Sequence, residues 1–288
     1  MKLVNTLNLA LALTLAGLAI PAAHAKNIGD NLGMGLDFNT IIGGTDVQAG
    51  DAVAASTVLV VGKSADGTFI CTGSIIDTDI VLTAAHCLGI DGLAEVVVVF
   101  RTSIQGEGAV VKVKDRRRIA DFLDRAQSGG NDWHDLALVK LASPLPAGYS
   151  PAKFLPSRDL LKTGSTVTLA GYGINVPLST PDSKDDDGAG VLRQVDQSVL
   201  DDKFGDTEFT VSLANNKGAC HGDSGGPAYL RQGNDLFLIG VASRLTEKDR
   251  VANNGDTNDF SCSVEMVYTS VLAQNDWISQ NVQQLHSK

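Results

Sequence analysis

Beyond residue 25, this 288-residue chain has no apolar stretch long enough to cross a bilayer, which takes about 20 residues. It has no CxxC and no HxxxH spacing, so its cysteines and histidines form no zinc-type ligand pattern. The acidic run holding Asp182, Asp185, Asp186 and Asp187 departs from the Asp-x-Asp-x-Asp-Gly calcium loop. It reads as a solvated loop, with calcium binding as the rival. There is no internal repeat, and helical periodicity is missing until the C-terminal end. Positive charge is also short: 23 Lys and Arg face 33 Asp and Glu, a formal net charge of −10. That balance argues against nucleic acid as a partner and says little about substrate. One local exception is basic: Lys112, Lys114, Arg116, Arg117 and Arg118. It reads as a solvated strand-and-loop face, and a site for an acidic partner is the alternative.

What is present points to an exported globular protein. Residues 1–25 combine Lys2, an apolar run over 9–20 and the small-residue site Ala23-His24-Ala25, the pattern of a secretory signal peptide. A membrane anchor is the competing reading, and its apolar run is short for a span. Residues 26–40 are glycine-rich and of mixed polarity, as in a propeptide. Four cysteines follow: Cys71, Cys87, Cys220 and Cys262. An even count in an oxidising compartment implies disulfides, with three possible connectivities. Hydrophobic residues make up 43% of the chain, enough for one large or two small cores.

From residue 41 onward, short apolar runs alternate with Gly, Asp and Ser turns. They cover 56–61, 96–100, 110–113, 136–141, 167–169, 209–213, 236–241 and 266–268. Such spacing predicts antiparallel barrels or sandwiches. Val271, Ile278, Val282 and Leu285 then recur at helical spacing. They predict a terminal helix, expected to pack on the second half of the chain.

The most informative stretch is Gly222-Asp223-Ser224-Gly225-Gly226-Pro227. Its glycines permit a sharp turn that aims the amides of Gly222 and Ser224 at one point beside the Ser224 hydroxyl. Serine is a weak nucleophile at neutral pH, so it needs a base, and the base needs an orienting carboxylate. Thr83-Ala84-Ala85-His86-Cys87 supplies a histidine, and Asp135 precedes the run Leu136-Ala137-Leu138-Val139. Ile41-Ile42-Gly43-Gly44 and Gly171-Tyr172-Gly173 complete the set. These five motifs, in this order, resemble the chymotrypsin/trypsin family of serine peptidases. The resemblance covers most of the chain, from Ile41 to the region of Trp277.

The resemblance implies an all-β fold of two antiparallel six-stranded barrels with a C-terminal α-helix. Residues 41–150 would form the first barrel, and 151–288 the second barrel and the helix. It implies a His86, Asp135, Ser224 triad, an oxyanion hole from Gly222 and Ser224, and disulfides Cys71–Cys87 and Cys220–Cys262. It implies a zymogen, in which cleavage after Thr40 frees the Ile41 amine to pair with Asp223. Ser243 would border the substrate pocket and support Asp135. His134 is expected to point away from the site, and His221 to sit on the rim.

The pocket departs from the trypsin pattern. Gly218, six residues before Ser224, stands where trypsins carry an acid; Ala219 follows it, and Met266 replaces a wall glycine. An uncharged, partly filled pocket is expected, taking small or medium uncharged residues. If Glu265 faces inward, a preference for basic residues is the alternative. The expected protein is a secreted or periplasmic endopeptidase, monomeric and without cofactor or metal. It would act on proteins or peptides, be open to proteinaceous inhibitors, and touch neither nucleic acid nor, once its leader is removed, membrane. The low cysteine count fits a bacterial source. The other readings are a binding-only family member and an esterase; GDSGGP favours peptides over the GxSxG elbow of esterases.

Overall fold

The computed structural model describes residues 41–65, 67–89, 93–175, 188–233, 235–248 and 262–287. The expected leader and propeptide, most of the acidic loop and residues 249–261 lie outside the described residues.

Six strands close the first barrel: β2 (Thr57–Ser64), β3 (Gly67–Ile75), β4 (Ile80–Thr83), β5 (Glu95–Phe100), β6 (Ala109–Arg118) and β7 (Ala137–Leu141). Their ring order is β2-β3-β4-β7-β6-β5. A second ring joins β9 (Thr166–Gly171), β10 (Arg193–Asp201), β11 (Glu208–Ser212), β12 (Pro227–Gln232), β13 (Asp235–Leu245) and β14 (Glu265–Ser270). It runs β9-β10-β11-β14-β13-β12 and returns to β9. Closure removes the exposed sheet edges that would otherwise invite other strands. The short β1 (Thr45–Asp46) pairs with β10, so the described chain begins on the second barrel. β8 (Lys153–Phe154) runs parallel to β13.

Side-chain alternation explains much of the patterning. In β6, Lys112, Lys114, Arg116 and Arg118 are all exposed, two residues apart, as side chains on one face of a strand must be. Four of the five basic residues therefore share an outer barrel face, while Arg117, half-buried on the other face, pairs with Asp115 at 2.7 Å. In β2 and β7 the apolar runs are buried on both sides, because one face meets the barrel core and the other meets neighbouring elements.

The barrels meet through buried polar contacts. Tyr229 Oη lies 2.9 Å from Ser56 Oγ and 3.1 Å from Thr57 Oγ1. Tyr172 donates to the Arg101 carbonyl at 2.8 Å. A buried phenol needs such partners, so these pairs also fix how the barrels sit.

Helix α1 (Phe122–Ser128) leads towards Asp135, and α2 (Asn275–His286) ends the described chain. The packing of α2 corrects the expectation that it covers the second barrel. Its buried Ile278 and Leu285 join the cluster that holds Val139 and Leu141 of β7. Lys140 Nζ donates to the Leu285 carbonyl at 2.7 Å, and His286 reaches Asp79 at 3.0 Å. A cation beside the unsatisfied carbonyls of a helix C-terminus is favourable, and that anchor lies on the first barrel.

Candidate active site

Strand register brings the first two residues together. β4 and β7 run antiparallel with Thr83 opposite Ala137. His86, just beyond β4, therefore meets Asp135, just before β7. His86 Nδ1 lies 2.7 Å from Asp135 Oδ2, and the His86 amide donates to Asp135 Oδ1 at 2.9 Å. Ser243, on β13 of the other barrel, donates to Asp135 Oδ2 at 2.7 Å.

Asp135 is 1% exposed. Burial alone would raise its pKa, but the charge and hydrogen bond of His86, with the Ser243 bond, hold it below the usual carboxylate value. Burial alone would lower the His86 pKa, but the Asp135 charge and hydrogen bond outweigh it and raise the imidazole. The side chain retains 35% exposure.

The Ser224 turn is pinned from both barrels. The Thr72 amide donates to the Ser224 carbonyl at 2.8 Å, and Thr72 Oγ1 donates to the Gly222 carbonyl at 3.1 Å. Gly225 donates to the Ala242 carbonyl at 2.9 Å. Gly225 has φ 80°, and a Cβ there would lie 2.1 Å from Thr83 Oγ1, so only glycine fits. Cys87 Sγ sits 3.7 Å from the Ser224 carbonyl oxygen, so the serine turn lies against the residue after His86. Among the described residues, the amides of Gly222 and Ser224 donate to no protein acceptor.

Asp223 lies behind this turn and is also 1% exposed. Its Oδ1 accepts from Gly173 and its Oδ2 from Cys220, both at 2.8 Å. Burial pushes its pKa up to about 7, although the two amides and the charge of Arg193 act to lower it. Among the described residues no cation forms an ion pair with it. Ile41 and Ile42 are buried as well, and Ile42 exchanges two backbone hydrogen bonds with Gly218.

A cavity of about 520 Å³ opens beside Ser224, with Ser243, Leu245, Glu265 and Met266 among its lining residues. Gly218 and Ala219, expected in the pocket, do not line it. Gly218 is taken up by its bridge to Ile42, and a Cβ on it would lie 2.3 Å from Leu213. Ala219 is packed in the second core. His221 does line the cavity. His134 turns away from His86 towards Asp121, at 3.2 Å, because its backbone has φ 56° rather than a strand conformation.

One cluster goes beyond the residues selected from sequence. Arg244 makes two hydrogen bonds to fully buried Glu208, at 2.6 and 2.9 Å. Glu208 also accepts the amides of Asp132 and Trp133, and the Arg244 guanidinium lies 4.2 Å from the centre of the Trp133 ring. These contacts clasp the loop before Asp135 to the second barrel. The available signal was weak: one acid at the head of an apolar run, and one Trp two residues before Asp135.

Both disulfides match the implied pairs, Cys71–Cys87 and Cys220–Cys262. His86 and His221 each sit beside one of them. Cysteines joined in this way offer no thiolate to a metal.

The Trypsin family model matches residues 41–278. The chain belongs to the trypsin family. It is a serine endopeptidase, a hydrolase. This trypsin-family chain is 30% identical to brachyurin of Leptuca pugilator over 174 residues, which cover 56% of this chain and 71% of that protein. It is 26% identical to trypsin theta of Drosophila erecta over 279 residues, 93% and 96% of the two chains. A solved structure described as HL collagenase superposes with a TM-score of 0.65 at 23% identity, covering 84% of this chain and 99% of its own. That likeness supports the double-barrel fold.

Proposed function

We propose that Ser224, His86 and Asp135 hydrolyse peptide bonds through an acyl-enzyme. Ser224 Oγ attacks the carbonyl carbon while His86 Nε2 takes its proton. The amides of Gly222 and Ser224 meet the oxyanion. His86 then returns the proton to the leaving amine as the C–N bond breaks, and water releases the acyl group by the same route. Asp135 holds the imidazole in the useful tautomer and stabilises its charged form. These roles follow the family's triad. The observation that carries the reading is the His86 Nδ1 to Asp135 contact of 2.7 Å, beside a serine turn whose Ser224 carbonyl lies 3.7 Å from Sγ of the next residue, Cys87. The test is labelling with a serine-directed phosphonylating reagent, expected on Ser224 and lost in Ser224→Ala. A wild-type protein that is active yet modified elsewhere would overturn the assignment.

The protein is made as a zymogen in this reading. Among the described residues Asp223 is a buried carboxylate without an ion-pair partner, and Ile41 is buried in the second-barrel core that also holds Cys220. Cleavage after Thr40 supplies the ammonium that Asp223 lacks. Removing one member of such a pair costs about 3–5 kcal/mol, enough to keep the uncleaved form mostly inactive. Active enzyme whose N-terminus is not Ile41 would defeat this reading.

The pocket takes small or medium uncharged side chains, because Met266 and Leu245 narrow it. The signal-type leader and the two disulfides support secretion or a periplasmic location. No helix among the described residues is long and apolar enough to cross a membrane. The substrates are proteins or peptides, the protein works as a monomer, and proteinaceous inhibitors are candidate partners.

A further inference from the structure

The cavity beside Ser224 contains a carboxylate that this chain itself neutralises. Glu265 opens β14, opposite Ser212, and its side chain is 3% exposed. Its Oε1 has no well-aligned hydrogen bond but lies 3.0 Å from Lys248 Nζ. The Lys248 side chain is 72% exposed, so its ammonium comes to Glu265 from the rim. Both residues line the cavity that holds Ser224 and Met266. Arg244, another lining cation, is committed to Glu208. Among the described residues, Lys248 is thus the cation paired with Glu265.

A buried carboxylate deprived of its cation is strongly unfavourable, and any ammonium or guanidinium of the right reach relieves it. A basic side chain of a substrate would offer the same relief, but it must first displace Lys248. The chain's own lysine has the advantage of tethering, which raises its effective concentration over a free competitor.

We propose that Lys248 is an internal counter-ion that sets primary specificity: it masks Glu265 and so excludes lysine and arginine side chains from the pocket. The uncharged preference then arises from a charge already paired, not from a pocket without charge. With Lys248 neutralised, Glu265 accepts ammonium, guanidinium or amidinium groups. This inference rests on reading the cavity as the primary substrate pocket.

Two measurements test it. The first is a peptide-library cleavage profile of the Ile41-terminated enzyme. Lys248→Gln is expected to raise kcat/KM for Lys and Arg substrates, relative to uncharged ones, by about tenfold or more, the scale of a single well-placed pocket contact. Lys248→Arg should keep the mask, and Glu265→Gln added to Lys248→Gln should abolish the gain. The second is binding of p-aminobenzamidine, followed by fluorescence, to Ser224→Ala protein with and without Lys248→Gln. Tighter amidine binding on loss of Lys248, reversed by Glu265→Gln, supports the mask whether or not turnover is seen. An unchanged substrate ratio and unchanged amidine binding would overturn it, as would a wild-type enzyme that already prefers Lys or Arg. Failure of serine labelling alongside the amidine gain would instead overturn the triad reading and leave the mask standing.

Discussion

Asp135, bonded to His86, and Asp223, next to Ser224, are each 1% exposed, yet their acidities move in opposite directions. Asp135 faces an imidazole and a hydroxyl, and its pKa is held down. Asp223 faces two backbone amides and, among the described residues, no ion-pair partner, and its pKa rises to about 7. Burial imposes a similar penalty on both, so the partner decides the sign. The first carboxylate belongs to an assembled unit. The second belongs to one that awaits a charge, which the proposed Ile41 amine supplies.

Breaking the assembled side should have the largest effect. Ser224→Ala or His86→Ala should lower kcat by about 10⁶-fold with the fold retained, the precedent for residues that act as one unit. Asp135→Asn should cost about 10⁴-fold, because the amide favours the wrong imidazole tautomer. Single-turnover kinetics on purified Ile41-terminated protein checks all three. A variant near wild-type turnover would remove its residue from the mechanism.

The awaiting side should show itself in stability. In the uncleaved precursor the folded pKa of Asp223 lies above its unfolded value of about 3.9, so the native state binds the proton more tightly. Its stability is fully present below the unfolded value and is lost as pH rises through about 7. The loss approaches ~4 kcal/mol at about 1.4 kcal/mol per pKa unit. Denaturant midpoints of the Ser224→Ala precursor from pH 4 to 8 should show this decline. Asp223→Asn, or cleavage after Thr40, should flatten it. A precursor with no decline over that window would break the contrast between the two aspartates.

The clasp across the barrels should matter next. Arg244→Met leaves Glu208 buried without its guanidinium and should destabilise by about 3 kcal/mol. The low end of the usual range applies because the Arg244 side chain keeps 14% exposure and two amides still serve Glu208. Thermal unfolding measures it, and a change below about 0.5 kcal/mol would show the clasp to be idle.

Ser243→Ala should have the smallest effect, about 1.5 kcal/mol, the lower end for a hydrogen bond to a charge. Asp135 would lose a donor, so its pKa should rise towards the usual value. The stability that Asp135 contributes is present above its unfolded pKa and is lost as pH falls through the folded value. The variant should therefore lose that stability at a higher pH than wild type. Acid-unfolding midpoints that coincide would contradict the role given to Ser243.

Much of this molecule was legible because its chemistry sits in short local motifs. The Ser224 turn demands glycine at Gly225, and the demand survives in the sequence. Eight of the strands were visible as apolar runs. β3, β4, β10 and β12 were less so, because threonine, aspartate and glutamine interrupt the pattern or the run begins inside a motif. β3 also carries Thr72, whose amide and hydroxyl hold the Ser224 turn, and nothing in its local pattern announces that contact. The helix was legible from its period, but the surface it covers was not. Periodicity reports which residues of a helix are buried and is silent on what buries them.

The sequence by itself determined the residue types that chemistry requires, their order along the chain, and the local turns that only certain residues allow. Tertiary structure alone decided the partners. Packing the two barrels together brings together residues far apart in the chain, as when Ser243 meets Asp135 across 108 positions. Likewise, Gly218 meets Ile42 instead of facing the pocket, and Glu265 meets Lys248 instead of open space. The reason is physical. Local conformation depends on neighbours in sequence, whereas the energy of a buried charge depends on whichever groups the closed fold places beside it.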